Sequence, residues 1–295
     1  MSLSSLREAL QAADQERSAV GHFNFSETVV LKAVATAARD LRSPVLAGVS
    51  EGEREFLGVR QAADMVKSFR EEWGIAIFLN ADHTHSLSKA VEAAKAGFDM
   101  VVFDASAQRF EENVKQTRAA VEAMKSIRPE IMVEGEIGYI GTSSEIHAGV
   151  PAGLSPHSTP EEAKQFVEAT GVDVLAPAVG TMHGMLPSMA KGEEHKHLNI
   201  RRIAEIKSAT GMFLTLHGGS GTDSGEIVAG IQAGLTVVHI NTELRVAWRR
   251  GLEDALAQHP EEVAPYRLLP GAYESVSPIV RQWMQTFRRS AKAVA

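Results

Sequence analysis

Three histidines of this sequence stand at or just after the ends of short apolar runs, where a parallel sheet would bring them together. They are His83, His183 and His217. Three imidazoles with an open fourth position form the usual ligand set of a catalytic divalent ion, most often zinc. The sequence contains no cysteine, so nitrogen and oxygen atoms must supply the ligands of any transition metal. A metal site is therefore predicted, with separate loop histidines as the alternative.

Asp82 directly precedes His83 and adds a carboxylate to the predicted metal site. A carboxylate beside a metal-bound substrate can transfer a proton. It can also hydrogen-bond a ligating imidazole and fix the orientation of its ring. The residues alone leave both roles open for Asp82.

Two loops in the last third of the sequence are suited to an anion. The segment Gly218–Asp223 is rich in glycine and opens a predicted helix, and Asn241-Thr242 begins another. Glycines let a ligand approach the backbone closely, and N–H groups at a helix start favour an anion. Phosphate sites in (β/α)8 barrels commonly follow strands seven and eight. Together the two loops predict a phosphorylated ligand.

The elements that must position these groups are eight short apolar runs, separated by segments with helical periodicity. The predicted strands are Ala19–Phe25, Pro44–Val49, Ile75–Asn80, Met100–Asp104, Ile131–Ile137, Val172–Ala178, Met212–His217 and Leu235–Ile240. Alternation of strands and helices favours a parallel sheet, and eight units predict a closed (β/α)8 TIM barrel. An open doubly wound sheet is the structural alternative. We expect a single domain over residues 1–295, with the barrel at about 19–257 and a helical C-terminal extension at about 258–295.

Composition and charge exclude several other classes of protein. The 295 residues are 44% hydrophobic with a formal charge of −7, which argues against attraction to nucleic acid or an anionic membrane. No apolar run approaches the ~18 residues that span a bilayer. The N-terminal segment is amphipathic and acid-containing, unlike a signal peptide. A cytoplasmic location is expected.

The strand-end motifs resemble those of the class II, metal-dependent ketose-bisphosphate aldolases, which include fructose-bisphosphate and tagatose-bisphosphate aldolases. The resemblance runs from about Gly21 to Glu243. It is carried by Phe23-Asn24, Asp82-His83, Asp104-Ala105-Ser106, Glu134-Gly135-Glu136-Ile137-Gly138, Gly180-Thr181-Met182-His183-Gly184, His217-Gly218-Gly219-Ser220-Gly221 and Asn241-Thr242-Glu243.

The resemblance implies a lyase that reversibly cleaves a phosphorylated ketose, similar to fructose 1,6-bisphosphate, into dihydroxyacetone phosphate and an aldehyde. The implied intermediate is a zinc-stabilised enediolate. It also implies zinc bound by His83, His183 and His217, with Asp82 as the catalytic acid/base and Glu136 as a carboxylate near or transiently on the metal. The absence of a lysine at any predicted strand end disfavours a Schiff-base aldolase.

The resemblance further implies the groups that bind substrate, and a homodimer or homotetramer. The implied phosphate contacts are Gly184, Gly218, Ser220, Asn241 and Thr242. Backbone groups of this set would also hold a monovalent cation, Na⁺ or K⁺. We add Ser50 and His239 as candidate substrate contacts at the ends of strands two and eight.

Several positions depart from the family pattern. Asn80 replaces the first histidine of a His-x-Asp-His motif, and His239 stands where the family has an asparagine that helps bind the ketone or enediolate. The family's loop glutamate, which assists proton transfer, has only Glu145 as a shifted counterpart. Glu51 and Glu53 place two acids near the expected mouth, where they would repel a phosphate.

Other functions fit parts of the sequence. His83-Thr84-His85 is also compatible with a metal-dependent hydrolase of the amidohydrolase type. A barrel that keeps its metal but serves only as a binding protein is a further alternative. The cluster Glu193–His197 is read as a solvated loop rather than a metal site. Arg245 on the last barrel helix is a candidate for a second phosphate or a subunit contact.

Overall fold

Eight parallel strands close into a barrel in the computed structural model, which describes residues 5–141, 143–155 and 157–289. The strands pair in chain order, and the eighth pairs back with the first. The strands are β1 (Val20–Asn24), β2 (Val45–Val49), β3 (Ile77–Thr84), β4 (Met100–Phe103), β5 (Met132–Ile137), β6 (Val174–Pro177), β7 (Phe213–Leu216) and β8 (Leu235–Ile240). The predicted (β/α)8 barrel is confirmed, and the open sheet is excluded.

One helix precedes the first strand, and the others follow the strands in turn. They are α1 (Leu6–Gln15), α2 (Thr28–Leu41), α3 (Glu51–Leu57), α4 (Val59–Trp73), α5 (Leu87–Ala96), α6 (Phe110–Ile127), α7 (Pro160–Thr170), α8 (Pro187–Ala190), α9 (Ile200–Thr210), α10 (Ser224–Ala233), α11 (Thr242–Gln258) and α12 (Pro265–Arg289). Local sequence explains many of their ends. Thr159 caps α7 in a reciprocal pair with Glu162, with Pro160 at the first helical position. Gly97 and Gly171 end α5 and α7 in the left-handed conformation.

The barrel has two apolar layers. The outward side chains of the strands pack against the helices, and Phe23, Leu79 and Val133 belong to that large core. The inward side chains at the N-terminal end of the barrel form a second cluster, which α1 closes from below with Leu6 and Leu10. The C-terminal end of the barrel interior is left for polar groups.

A long helix completes the fold after the barrel. The extension predicted from about residue 258 contains α12, which packs against α11 and α2 and adds Val276, Val280 and Phe287 to the outer core. Its predicted last residues, 290–295, lie outside the described residues, and the division into a single domain stays a prediction. No helix of the described ranges is long and apolar enough to cross a membrane.

Candidate metal centre and active site

The three predicted histidines converge at the C-terminal mouth of the barrel. His83 comes from β3, His183 from the loop after β6, and His217 from the residue that follows β7. One ring nitrogen of each can be chosen so that all three lie within 4.8 Å of one another. His183 and His217 are buried, and the side chain of His83 is 15% exposed. The arrangement can hold one metal ion.

Two of these imidazoles are oriented through the ring nitrogen that faces away from the shared centre. His83 Nδ1 lies 2.9 Å from Asp104 Oδ2, and His183 Nδ1 lies 2.6 Å from the carbonyl oxygen of Gly141. Acceptors at these positions fix the tautomer in which Nδ1 carries the proton. The Nε2 atoms are then free to bind a metal.

The third imidazole is held from the opposite nitrogen. His217 Nε2 lies 2.6 Å from Glu134 Oε1, and Thr215 donates to the other oxygen of that carboxylate. His217 Nδ1 therefore faces the centre, 3.0 Å from Glu136 Oε2. Both of these atoms are buried and make no aligned hydrogen bond. Two orphaned polar atoms beside two free imidazole nitrogens form a donor set that fits zinc.

The protonation of these groups reflects close packing of charges. Burial lowers the pKa of His183 to about 3, with the nearby rings of His83 and His217 acting in the same direction. Burial opposes protonation of His83, but Asp82 and Asp104 outweigh it and raise its pKa to about 9. Burial and the charge of Asp104 raise the pKa of Glu136. The raised pKa of His83 shows that the carboxylates around it favour a positive charge at this place.

A bulge near the end of β3 places Asp82 beside His83. The strand runs to Thr84, beyond the predicted end at Asn80, and its register with β4 shifts between Ala81 and Thr84. His83 has a φ of 41°. Successive residues of a regular strand point to opposite faces, whereas both Asp82 and His83 line the cavity at the mouth.

Arg54 of α3 stabilises this bulge and was not identified from the sequence. Its guanidinium is buried and donates to the carbonyl oxygens of Val49 and Asp82, at 2.6 and 3.1 Å, and to Thr84 Oγ1 at 3.0 Å. Charged side chains inside a protein need such partners. A single arginine in a helical segment gives no sequence signal for this role.

The Asp82 carboxylate has one oxygen engaged and one free. Asn24 donates to Oδ2 at 2.9 Å, while Oδ1 is buried without a hydrogen-bond partner. His83 Nε2 and His239 Nδ1 lie 3.8 and 3.5 Å from Oδ1. Burial opposes ionisation, yet the imidazoles of His83, His22 and His217 hold the pKa of Asp82 well below its usual range. A carboxylate with a free oxygen can accept a proton.

The predicted phosphate-binding residues surround the same cavity. Its lining comprises Asn24, Asp82, His83, Ser144, His183, Gly184, Gly218, Ser220, His239, Asn241 and Thr242. Gly184 and Gly218 have φ of 74° and 64°, which is the region that glycine adopts without strain. Two of the candidate metal ligands, His83 and His183, therefore share one cavity with Asp82 and the predicted anion loops.

His239 is stacked on a second buried histidine, His22 of β1. The rings of His22 and His239 lie 3.6 Å apart at an angle of 9°, and His22 Nε2 is 3.0 Å from Asn80 Nδ2. Gly48 makes room for this pair, because a Cβ there would lie 2.1 Å from His22 Cε1. Parallel stacked rings cannot both bind one ion in their planes, so His22, His239 and Asp82 do not form a second metal site.

Two predicted site residues lie away from this cavity. Ser50 caps α3, accepting from Glu53 N at 3.4 Å, and does not line the cavity. The side chain of Glu145 is 65% exposed and approaches His147 at 3.8 Å. His85 is also turned away, with Nδ1 at 3.0 Å from the carbonyl oxygen of Asp104.

The acids near the mouth are neutralised by basic partners. Glu51 contacts Lys89 at 2.7 Å and accepts from His85 N. Glu53 accepts from Arg245 at 2.6 Å and from Asn24 at 3.0 Å. These contacts reduce the expected repulsion between Glu51, Glu53 and a phosphate. Arg245, a candidate for a second phosphate or a subunit contact, is paired with Glu53 of its own chain.

Comparisons with known proteins agree with this site. A sequence profile of the family described as "Fructose-bisphosphate aldolase class-II" matches residues 4–292. The fructose-bisphosphate aldolase of Geobacillus stearothermophilus is 33% identical over 296 residues, covering 99% of each chain. That of Staphylococcus aureus strain Mu50 is also 33% identical over 296 residues, covering 99% of this chain and all of the other. The crystal structure of the YdjI aldolase from Escherichia coli K12 superposes with a TM-score of 0.78 at 25% identity, covering 98% of this chain and 99% of that chain.

The chain belongs to the class II fructose-bisphosphate aldolase family. The family is zinc-dependent, and its reaction is the cleavage of a carbon–carbon bond in a ketose bisphosphate. The predictions of the family and of an aldehyde-lyase are therefore confirmed.

Proposed function

We propose that this chain binds zinc through His83, His183 and His217 and cleaves a ketose carrying a phosphate at C1, similar to fructose 1,6-bisphosphate. The observation that supports this is the cluster of three histidines, two of which line one cavity with Asp82 and its buried, unpartnered Oδ1. When bound, zinc would supply Lewis acidity that polarises the ketose carbonyl and stabilises the enediolate. Glu136, whose Oε2 lies 3.0 Å from His217 Nδ1, would be the carboxylate near or transiently on the metal.

Asp82 is the proposed acid/base. In the cleavage direction, its free Oδ1 takes the proton of the C4 hydroxyl while the C3–C4 bond breaks. The electron pair of that bond goes to the enediolate, and C4 leaves as the aldehyde. In the condensation direction, the same oxygen returns the proton. Asn24 holds the carboxylate through Oδ2, so Oδ1 keeps its direction during both steps.

Glu145 is the proposed source of the proton that converts the enediolate into dihydroxyacetone phosphate. Its loop is joined to the loop after β6, since Met185 N donates to the Glu145 carbonyl oxygen at 2.9 Å. The exposed carboxylate would have to turn over the cavity, as mobile active-site loops do. Ser144 of the same loop already lines that cavity.

The phosphate is proposed to bind at Gly184, Gly218, Ser220, Asn241 and Thr242, where the start of α11 offers N–H groups. His239 is the proposed contact for the ketone or enediolate oxygen. Ser50 stays a candidate contact with the distal part of the substrate. In this region the carbonyl oxygens of Gly184, Gly218 and Ser220 accept from Lys196 Nζ, so no Na⁺ or K⁺ enters the proposed reaction.

A cytoplasmic location and a homodimer or homotetramer belong to the same proposal. Anionic sugar phosphates cross bilayers poorly, which supports a compartment where they are made and retained. The mass of the native protein by light scattering distinguishes a monomer from either oligomer.

Zinc analysis followed by a proton-exchange assay tests the function. Purified protein should contain stoichiometric zinc and exchange a C3 proton of dihydroxyacetone phosphate with solvent, without any aldehyde present. A panel of ketose mono- and bisphosphates then identifies the substrate by the aldehyde released. Zinc without exchange on any triose or ketose phosphate would contradict the proposal and favour a binding protein.

A further inference from the structure

Lys196 occupies a position that its sequence context does not predict. It lies in the segment Glu193–His197, expected to be a solvated loop, yet it is only 4% exposed. Its Nζ donates to four backbone carbonyl oxygens, at 2.6–2.8 Å. These oxygens belong to Met182, Gly184, Gly218 and Ser220.

A cage of carbonyl oxygens is the environment that proteins use to replace the hydration shell of a monovalent cation. A protonated lysine has three N–H donors, whereas a neutral amine would have only two for these four acceptors. Burial lowers the pKa of Lys196 to about 7, and Glu243 acts in the opposite direction. The carbonyl contacts favour the charged form further.

The cage lies directly behind the predicted phosphate site. Gly184, Gly218 and Ser220 line the cavity and also direct their carbonyl oxygens at Lys196. Two loops, after β6 and after β7, thus meet at one ammonium. They approach closely there, because a Cβ on Gly218 would lie 2.3 Å from the carbonyl oxygen of Met182.

The backbone of Lys196 is anchored to the same region. Its N–H donates to the carbonyl oxygen of Gly221 at 3.0 Å, and the residue pairs with Thr222 in an isolated parallel bridge. The side chain is therefore delivered to the cage by a fixed backbone.

We propose that the Lys196 ammonium is a built-in monovalent cation. It is a positioning residue: it holds the two loops together and places a positive charge behind the phosphate of the substrate. Phosphate binding by this chain then needs no added Na⁺ or K⁺. The inference rests on the proposed function only in taking the ligand to be a phosphate.

The wild-type protein provides the first test. Binding of inorganic phosphate to the zinc-loaded protein is measured by calorimetry in tetramethylammonium buffer, then with KCl or NaCl at constant ionic strength. The dissociation constant should not change. A saturable gain in affinity on adding K⁺ or Na⁺ would overturn the proposal, and this measurement requires no variant to fold.

Removing the ammonium should create a dependence on free cations. Lys196→Ala in tetramethylammonium buffer should bind phosphate roughly 10-fold more weakly or worse, since a buried charge beside an anion is lost. K⁺ or NH₄⁺ should restore affinity, and tetramethylammonium should not, because it is too large for the cage. Lys196→Met, which keeps most of the side-chain volume, should lose affinity without being rescued. Lys191→Ala changes an exposed lysine that follows α8 in the same loop region and should behave as wild type.

Thermal unfolding without phosphate separates this inference from the proposed function. The melting temperature of Lys196→Ala should rise saturably with K⁺ or NH₄⁺, as expected for a ligand of the folded state, while the wild type does not respond. If the melting temperatures respond in this way but the protein cleaves no ketose phosphate, the proposed function is refuted and the proposed role of Lys196 is still supported. Equal responses to K⁺ and tetramethylammonium, or wild-type phosphate affinity in Lys196→Ala, would overturn the inference.

Discussion

The two ends of the barrel interior are built from the same strands, but one end is lined by apolar side chains and the other mainly by polar ones. Near the N-terminal end, the inward side chains include Val20, Leu46, Phe78, Met132 and Val237, which form a closed apolar cluster. Two residues further along each strand, the inward positions change character. They become His22, Gly48, Asn80, Glu134 and His239.

The lower end of the barrel interior stabilises the fold, whereas the upper end holds the groups that can do chemistry. Burial of the lower cluster stabilises the fold by removing apolar area from water. The upper end instead contains buried polar atoms without partners, and each such atom costs about 1–3 kcal/mol. Those inside the barrel belong to His22, Asn80, Asp82, Glu136, His217 and His239. The lower end and the outer helices must stabilise the fold enough to offset that cost.

Loss of a metal ligand at the upper end should have the largest effect. His183→Ala should lose zinc, and activity should fall about 10³-fold or more, because Lewis-acid stabilisation is worth several kcal/mol. Zinc content and turnover are measured together. His195→Ala replaces an exposed histidine and should change neither. Stoichiometric zinc in His183→Ala would remove this residue from the ligand set.

Asp82→Asn should separate metal binding from turnover. The amide keeps an oxygen to accept from Asn24, but it cannot act as a base. We expect full zinc content and a fall in turnover of about 10²–10⁴-fold. Asp64→Asn, at an exposed carboxylate, is the matched control. Wild-type turnover in Asp82→Asn would show that another group moves the proton.

Leu46→Ala tests the lower end of the barrel. This residue is fully buried, and its truncation should lower the free energy of unfolding by about 2–5 kcal/mol. Denaturant titration measures the free energy of unfolding. At low temperature, where the variant stays folded, its zinc affinity and turnover should equal those of the wild type. A specific loss of zinc would mean that the two ends are more strongly coupled than the comparison implies.

Glu134→Gln tests whether the Glu134 carboxylate supports zinc binding by His217. Glu134 contacts His217 Nε2 at 2.6 Å, and removing its charge should weaken zinc binding about 10–100-fold. Competition with a chelator measures this change. Glu130→Gln removes an exposed carboxylate and should leave the affinity as it is. An unchanged affinity in Glu134→Gln would show that the hydrogen bond alone orients the ring.

Gly48→Ala should have the smallest effect, and it sharpens the contrast with Leu46 on the same strand. The new methyl group would overlap His22 and destabilise the fold by about 1–3 kcal/mol through overpacking. Adding His22→Ala should restore most of that stability, because it removes the overlapping ring. A double-mutant cycle in denaturant measures the coupling. Additive effects would show that the clash is relieved elsewhere.

The sequence predicted the scaffold well because the relevant signals are local. Apolar periodicity gave the strands, and end signals such as Thr159 and Gly171 gave the helix boundaries. The predicted end of β3 at Asn80 was wrong, because the polar run from Asn80 to Thr84 resembles a loop in the sequence. Its pairing with β4 and the contacts from Arg54 keep it in the sheet.

Within the site, the sequence indicated the groups with distinctive chemistry but not those that hold them. The three histidines and Asp82 follow strands and belong to recognisable motifs. Asn24 and Glu134 also lie in motifs of the sequence, but their roles, like that of Lys196, come from contacts between distant segments, such as Lys196 with Gly218. No local pattern encodes such contacts.

By itself, then, the sequence determined the order of strands and helices, the absence of thiolate ligands and the residue types available at each strand end. Only the tertiary structure decided which nitrogen of each imidazole faces the centre, which oxygen of Asp82 is free, and that a lysine enters a cage of carbonyl oxygens. The physical reason is that periodicity and capping are properties of neighbouring residues. Orientation, desolvation and charge neutralisation depend instead on atoms that only the closed barrel brings together.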